Sequence, residues 1–163
     1  MGVTPLGASD EQFMSRAFEL AQQAEQQGEI PVGAVVVQNG QVVGEGFNSS
    51  ITNQDPTAHA EVIALRAAAR AVSNYRLVDS TLYVTIEPCM MCAGAMLHAR
   101  VERLVYGASE PKAGAANSHR LLDFDWQNHR ISILGGVLET ECSALMTNFF
   151  KRKREQSAAG GLS

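Results

Sequence analysis

Between Ser9 and Gly28 the apolar residues Phe13, Ala17, Leu20, Ala21 and Ala24 recur every three or four positions, the spacing of one face of a helix. Ser9 followed by Gln12 has the form of a capping box and predicts where that helix starts. The runs Val32 to Val37 and Gln41 to Gly46 are strand-like, and Asn39-Gly40 between them suits a two-residue turn whose central residues both need positive φ. An antiparallel hairpin is therefore expected after the first helix. Asp55 as a cap with Pro56 at the first helical position, where a missing N–H costs nothing, predicts a second helix reaching Ala71. Thr81 to Ile86, Cys89 to Arg100 and Arg103 to Gly107 read as strand, helix and strand, a crossover unit that favours parallel pairing. Ile131 to Leu134 adds a last strand before Gly135-Gly136. Leu138, Cys142, Leu145, Met146 and Phe149 then mark the apolar face of a terminal helix ending in Lys151 to Arg154. Five short strands in a mixed sheet, interleaved with helices, predict an α/β fold: a three-layer α/β/α sandwich.

The organisation expected is a flexible N-terminus over 1–8, one domain over 9–154 and a flexible tail over 155–163. A long irregular stretch over 109–128 is of the kind that carries function. The length of 163 residues and an apolar content of 45% suit a single core. A formal charge of -4 excludes a surface that coats nucleic acid indiscriminately, which needs positive charge all round, but leaves room for a local basic patch at 151–154. The start has no charged segment leading into an apolar run, and Leu6 spoils a myristoylation pattern at Gly2, so a cytoplasmic protein without membrane association is expected. Three cysteines make a disulfide framework improbable there, and Cys89-x-x-Cys92 points instead to metal or redox chemistry.

Cys89 and Cys92, three apart at a helix start, can turn both sulfurs toward one ion, and the helix N-terminus favours the thiolates that bind it. His59 adds an imidazole. Two thiolates and one imidazole suit Zn2+, and three protein ligands leave a fourth tetrahedral position for water whose pKa the ion lowers to about 7. Glu61 is then the candidate proton carrier. Positions two apart on an ideal helix do not face the same way, so spacing alone does not bring His59 and Glu61 together.

His-Ala-Glu at 59–61 followed by Pro-Cys-x-x-Cys at 88–92 resembles the signature of the zinc nucleobase deaminases. Over roughly Ser9 to Arg154 the segments GEIPVGAVVV, DPTAHAEVIALR, NYRL, TLYVTIEPCMMCAGAM, GAANS, NHR and FFKRKR resemble the bacterial tRNA adenosine deaminases, which edit the wobble position of the anticodon. That resemblance implies a cytidine deaminase-like fold, one Zn2+ per subunit, a tRNA anticodon stem-loop as partner and a homodimer. It implies that Asn48 hydrogen-bonds the flipped base, that Glu110, Lys112 and Asn128 line the pocket and the RNA path, and that Phe149, Arg152 and Arg154 help hold the loop. Met90, Met91, Met96 and Leu97 are candidates for the subunit contact. Ser109-Glu110-Pro111 departs from the family pattern, where Arg, Asp and Ala would stand.

Each reading has a plainer rival. Cys89 and Cys92 with His98 as a fourth ligand would be a structural zinc site, Glu61 a solvated carboxylate, Asn48 a turn residue, and Lys151 to Arg154 a solvated helix end. Cys142 reads as a small buried hydrophobe, and His119 and His129 as exposed. For the whole chain the rivals are a deaminase of a free base or nucleoside, which needs no basic RNA surface, and a zinc-stabilised RNA-binding subunit without catalysis.

Overall fold

A computed structural model describes residues 8–160; the N-terminal segment expected to be flexible lies, up to residue 7, outside the described residues. The elements run α1 (Ala8–Gln26), β1 (Gly33–Gln38), β2 (Gln41–Phe47), α2 (Ala60–Val72), β3 (Ser80–Ile86), α3 (Met90–Ala99), β4 (Arg103–Ala108), β5 (Ser132–Leu134) and α4 (Glu139–Gly160). The strands form one five-stranded sheet in the order β2-β1-β3-β4-β5. β1 pairs antiparallel with β2 and β3, whereas β3, β4 and β5 are parallel. The hairpin turns at Asn39 and Gly40, both at positive φ (54° and 73°), as that dipeptide predicts.

Strand alternation divides the core into two. Ala34, Val36, Leu82, Val84, Leu104 and Tyr106 face Ala60, Ala64, Leu65, Ala68, Ala93 and Met96 of α2 and α3. The opposite face, with Val35, Val37, Tyr83 and Val105, packs on Met14, Ala17 and Leu20 of α1 and on Cys142 of α4. These are the three layers that the sequence pattern predicts. Cys142 is buried there, and burial raises its thiol to about 12, which fits an inert core residue.

Glycines let the helices approach the sheet without a side-chain spacer. A Cβ at Gly44 would overlap the Ala64 carbonyl, and one at Gly46 would stand 2.5 Å from the Ala60 carbonyl oxygen and 2.7 Å from the Ala64 amide. Helix α2 therefore rests backbone to backbone on β2.

Three boundaries differ from the sequence pattern. Asp55 does not cap α2: its Oδ1 accepts hydrogen bonds from Thr57 N–H (2.9 Å) and the Thr57 hydroxyl (2.8 Å), and Pro56 lies in that turn rather than in the helix. The side chain is spent on a local Asx turn, so the helix starts later, at Ala60. Ser9 lies inside α1 as it is described, one residue past its first position. α4 continues beyond Arg154 to Gly160, because Glu155 to Ala159 contain no breaker before the Gly160-Gly161 pair.

Candidate active site

Each prospective ligand occupies a special place in its helix. His59 is the N-cap of α2, with extended backbone (φ -76°, ψ 152°), and Cys89 is the N-cap of α3 (φ -78°, ψ 175°); neither makes a side-chain capping hydrogen bond. Their side chains are thus free to point elsewhere. Because His59 precedes the helix proper, the helical period does not separate it from Glu61, which removes the geometric objection raised by their spacing. The end of α2 is capped from outside instead: Asn48 Oδ1 accepts the Ala60 N–H at 2.8 Å.

His59 Nδ1 lies 3.6 Å from Cys89 Sγ and 3.5 Å from Cys92 Sγ, and the two sulfurs are 3.8 Å apart. A tetrahedral zinc ion at about 2.3 Å from sulfur and about 2.0–2.1 Å from nitrogen requires edges of roughly 3.8 Å between sulfurs and roughly 3.5–3.6 Å between sulfur and nitrogen. The triangle fits that ion on all three sides. Among the described residues these three are the one cluster of His, Cys, Asp and Glu with ligand atoms close enough to hold a metal. His98 is exposed and does not join it, so among the described residues no fourth His, Cys, Asp or Glu completes the cluster.

Glu61 is buried (3% exposed). Burial pushes its carboxyl up, against hydrogen bonds from its own N–H and the Cys92 thiol that pull it down. Cys89 is drawn down to about 5, first by its hydrogen bond with Cys92 and then, against the cost of burial, by the Cys92 amide and by His59. Cys92 is driven upward by its hydrogen bond with Cys89 and by burial. Thiolate at the mouth of α3 is what a metal ligand needs.

A family model for MafB19-like deaminases matches residues 8–154. This chain belongs to the MafB19-like deaminase family. Among curated relatives, the tRNA-specific adenosine deaminase of Haemophilus influenzae is 54% identical over 90% of this chain and 86% of its own length. That of Bacillus subtilis is 42% identical over 94% and 98%. A solved structure from work on A-to-I editing by tRNA:A34 deaminases at the wobble position superposes with a TM-score of 0.80 at 39% identity, covering 82% of this chain and 98% of that one. This deaminase thus has the cytidine deaminase-like sandwich that its sequence predicts.

The other candidate residues of the deaminase are spread around this centre. Asn48 is half-buried and its carbonyl oxygen is engaged by α2, which leaves its NH2 as the group available to a further acceptor. Glu110 Oε1 accepts the Lys112 N–H at 3.1 Å within the irregular stretch, Lys112 is exposed, and Asn128 is exposed beside His129. His119 is exposed as expected, while His129 is half-buried with Nε2 2.6 Å from the Val101 carbonyl oxygen. Phe149 is buried between α1 and α4, Arg152 pairs with Glu25, and Arg154 is exposed. Met96 is fully buried in the core and cannot serve a subunit contact, whereas Met90 is 71% exposed. The period of α3 explains the difference: the residues that share the buried face with Cys92 are Ala93, Met96 and Ala99.

Two carboxylates escaped the sequence reading. Glu29 accepts hydrogen bonds from Ile51 N–H (3.1 Å), Thr52 N–H (2.7 Å) and the Thr52 hydroxyl (2.7 Å), and so ties down the loop that follows Asn48. Glu87, immediately before Pro88-Cys89, does the same for the irregular stretch. Both are buried (2% exposed) and held below the usual carboxylate range, because their hydrogen bonds outweigh the opposing cost of burial. Their positions beside the matched motifs were the available signal; nothing in the spacing told what they would accept.

Proposed function

We propose that this chain hydrolyses the exocyclic amine of adenosine at the wobble position of a tRNA anticodon, yielding inosine and ammonia. The observation that carries the reading is the three-sided His59, Cys89 and Cys92 cluster, dimensioned for one zinc ion, with the buried carboxyl of Glu61 against it. The curated relatives named as tRNA-specific adenosine deaminases support the substrate.

Zinc, one ion per subunit, supplies Lewis acidity that makes water nucleophilic at neutral pH. The work of the chain's own residues follows from their chemistry. The His59 imidazole and the two thiolates hold the ion. Glu61 takes one proton from the attacking water and passes it to the ring nitrogen. It then moves the second from the hydroxyl newly bonded to carbon onto the amine, which leaves as ammonia while the carbonyl forms. A carboxyl buried away from bulk water keeps both transfers inside the site. Asn48, with its oxygen engaged by α2, offers its NH2 to an acceptor on the base edge. A wobble base must leave its loop to reach this depth, and extruding a loop base costs less than opening a duplex. Glu110, Lys112 and Asn128 form the rim that meets the displaced loop, and Arg152 and Arg154 extend the contact along α4; Phe149, being buried, packs that helix instead of touching RNA.

The active unit in this reading is a cytoplasmic homodimer. The groove between α2 and α3, whose lining is mostly apolar (Val62, Leu65, Ala69, Ala95) but includes Arg66 and His98, supplies with the 71%-exposed Tyr75 the surface a second copy would cover. Sedimentation of the purified protein measures that assembly.

The deciding experiment is sequencing of candidate tRNAs after incubation with the zinc-loaded protein, beside ammonia release from free bases and nucleosides. Inosine at the wobble base, with free bases inert, is the expected result. Ammonia from a free base with tRNA unchanged would replace this reading with a small-molecule deaminase.

A further inference from the structure

The stretch between Ala108 and Leu121 has no regular structure, yet it sits directly on the turn that carries the cysteines. Its backbone is gathered around one side chain. Glu87 Oε1 accepts the Glu110 N–H (3.0 Å) and the Ser118 hydroxyl (2.5 Å), and Oε2 accepts the Ala116 N–H (3.1 Å) and the Ser118 N–H (2.8 Å). One residue on, the Pro88 carbonyl accepts the Ala115 N–H at 2.8 Å, while the Glu87 N–H itself donates to the Ala108 carbonyl at 2.8 Å. All four acceptor roles of a buried carboxylate are therefore filled from a single loop, two residues before a metal ligand.

Gly114 completes the fit. A Cβ there would stand 2.5 Å from Glu87 Oε1 and 2.5 Å from the Glu110 carbonyl oxygen, so the loop closes on the carboxylate only with glycine at this position.

We propose that Glu87 is a positioning residue: its carboxylate replaces secondary structure for residues 110–118 and fixes that wall of the site to the metal-binding turn, so that the loop's fit to the substrate depends on a group that touches neither substrate nor metal. The inference rests on the reading above for what the loop faces, but its geometric core does not. Losing the carboxylate frees the amides of Glu110, Ala116 and Ser118 together, because they share one acceptor group. Glu87→Gln is a sharp perturbation, since the new NH2 group must meet at least one N–H where only an acceptor fits, while side-chain volume is kept. Gly114→Ala attacks the same contact from the loop side.

The test measures amide hydrogen exchange and zinc content of the free, zinc-loaded protein, together with KM and kcat on an anticodon stem-loop. For Glu87→Gln and Gly114→Ala the expected result is one bound zinc, exchange at residues 110, 116 and 118 faster by about tenfold or more, and KM raised about tenfold with kcat lowered less. Ser118→Ala, which removes a single donor, should show a smaller shift in the same direction. The double variant should fall short of the product of the single effects, as two changes to one contact do. Unchanged exchange across 110–118 in Glu87→Gln and Gly114→Ala would overturn the proposal, as would loss of zinc in Ser118→Ala or Gly114→Ala. If Glu87→Gln fails to fold, those same two variants decide. A wild-type protein inert on tRNA would count against the assigned substrate alone, because the exchange measurement contains no RNA.

Discussion

Substitution of Asn48 separates two duties held by one side chain. Its Oδ1 accepts the Ala60 N–H at 2.8 Å, at a helix end where His59 provides no capping bond of its own. Asn48→Ala leaves that N–H without an acceptor. Loss of a capping side chain costs about 0.5–2 kcal/mol; the upper half of that range is expected because Ala60 is fully buried (0% exposed), so water is poorly placed to substitute. In a chain of 163 residues each kcal/mol moves the midpoint by about 2–4 °C, which predicts a fall of about 2–8 °C for the zinc-loaded protein. Asn48→Asp keeps an oxygen at the helix N-terminus, where the macrodipole favours an anion, and should melt within about 2 °C of the parent. It has no NH2, however, and KM for an anticodon stem-loop should rise by about tenfold, the worth of one good hydrogen bond to the base. Calorimetry and steady-state deamination read the two effects independently. An Asn48→Ala protein that melts with the parent would refute the capping role, and an Asn48→Asp enzyme with the parental KM would refute the role as donor.

Glu61→Gln should retain zinc and lower kcat by about 10²–10⁴-fold, the range for loss of a general acid-base group; metal analysis with single-turnover rates checks it, and near-parental turnover would discredit Glu61 as proton carrier. Cys92→Ala, by contrast, should lose stoichiometric zinc and lower the melting temperature, since binding of the ion to the folded state alone contributes stability. Gly44→Ala should destabilise by about 1–3 kcal/mol, because the added methyl overlaps the Ala64 carbonyl of α2; a denaturant titration giving parental stability would contradict the close approach. Glu29 titrates below its ordinary 4.5 when folded, so the stability it contributes is full above that pH and disappears as the pH falls through the lower folded value. Glu29→Gln should therefore lower stability at pH 7 and flatten its decline below about pH 4.5, as urea melts across pH would show.

The sheet and its helices were legible because periodicity and the Asn39-Gly40 turn act locally, and strand alternation assigns each side chain to a face without knowledge of its neighbours. The cluster of His59, Cys89 and Cys92 was legible through its spacing and the family signature, and the structure brings the three together. What spacing could not supply was the convergence of His59 and Glu61, which depends on His59 lying one residue ahead of its helix with extended backbone. The Asp55 cap was misjudged because Thr57 competes for the same carboxylate oxygen, and a sequence does not rank two partners for one acceptor. Glu29 and Glu87 were invisible for a related reason. Most of their donors are backbone amides more than twenty residues away, at 51–52 and at 110–118, and backbone amides carry no sequence signature.

The glycine contacts under α2 bear on how such a site can change. With Gly44 and Gly46 admitting no intervening side chain, the strand acts as a datum against which the helix is seated, and there is nothing between them to trim or enlarge. Randomising the interior would disturb stability long before it displaced His59 or Glu61. Selection for a new substrate, natural or in the laboratory, has its compliant material in the loops after Asn48 and after Ala108, and variants that alter base preference should accumulate there.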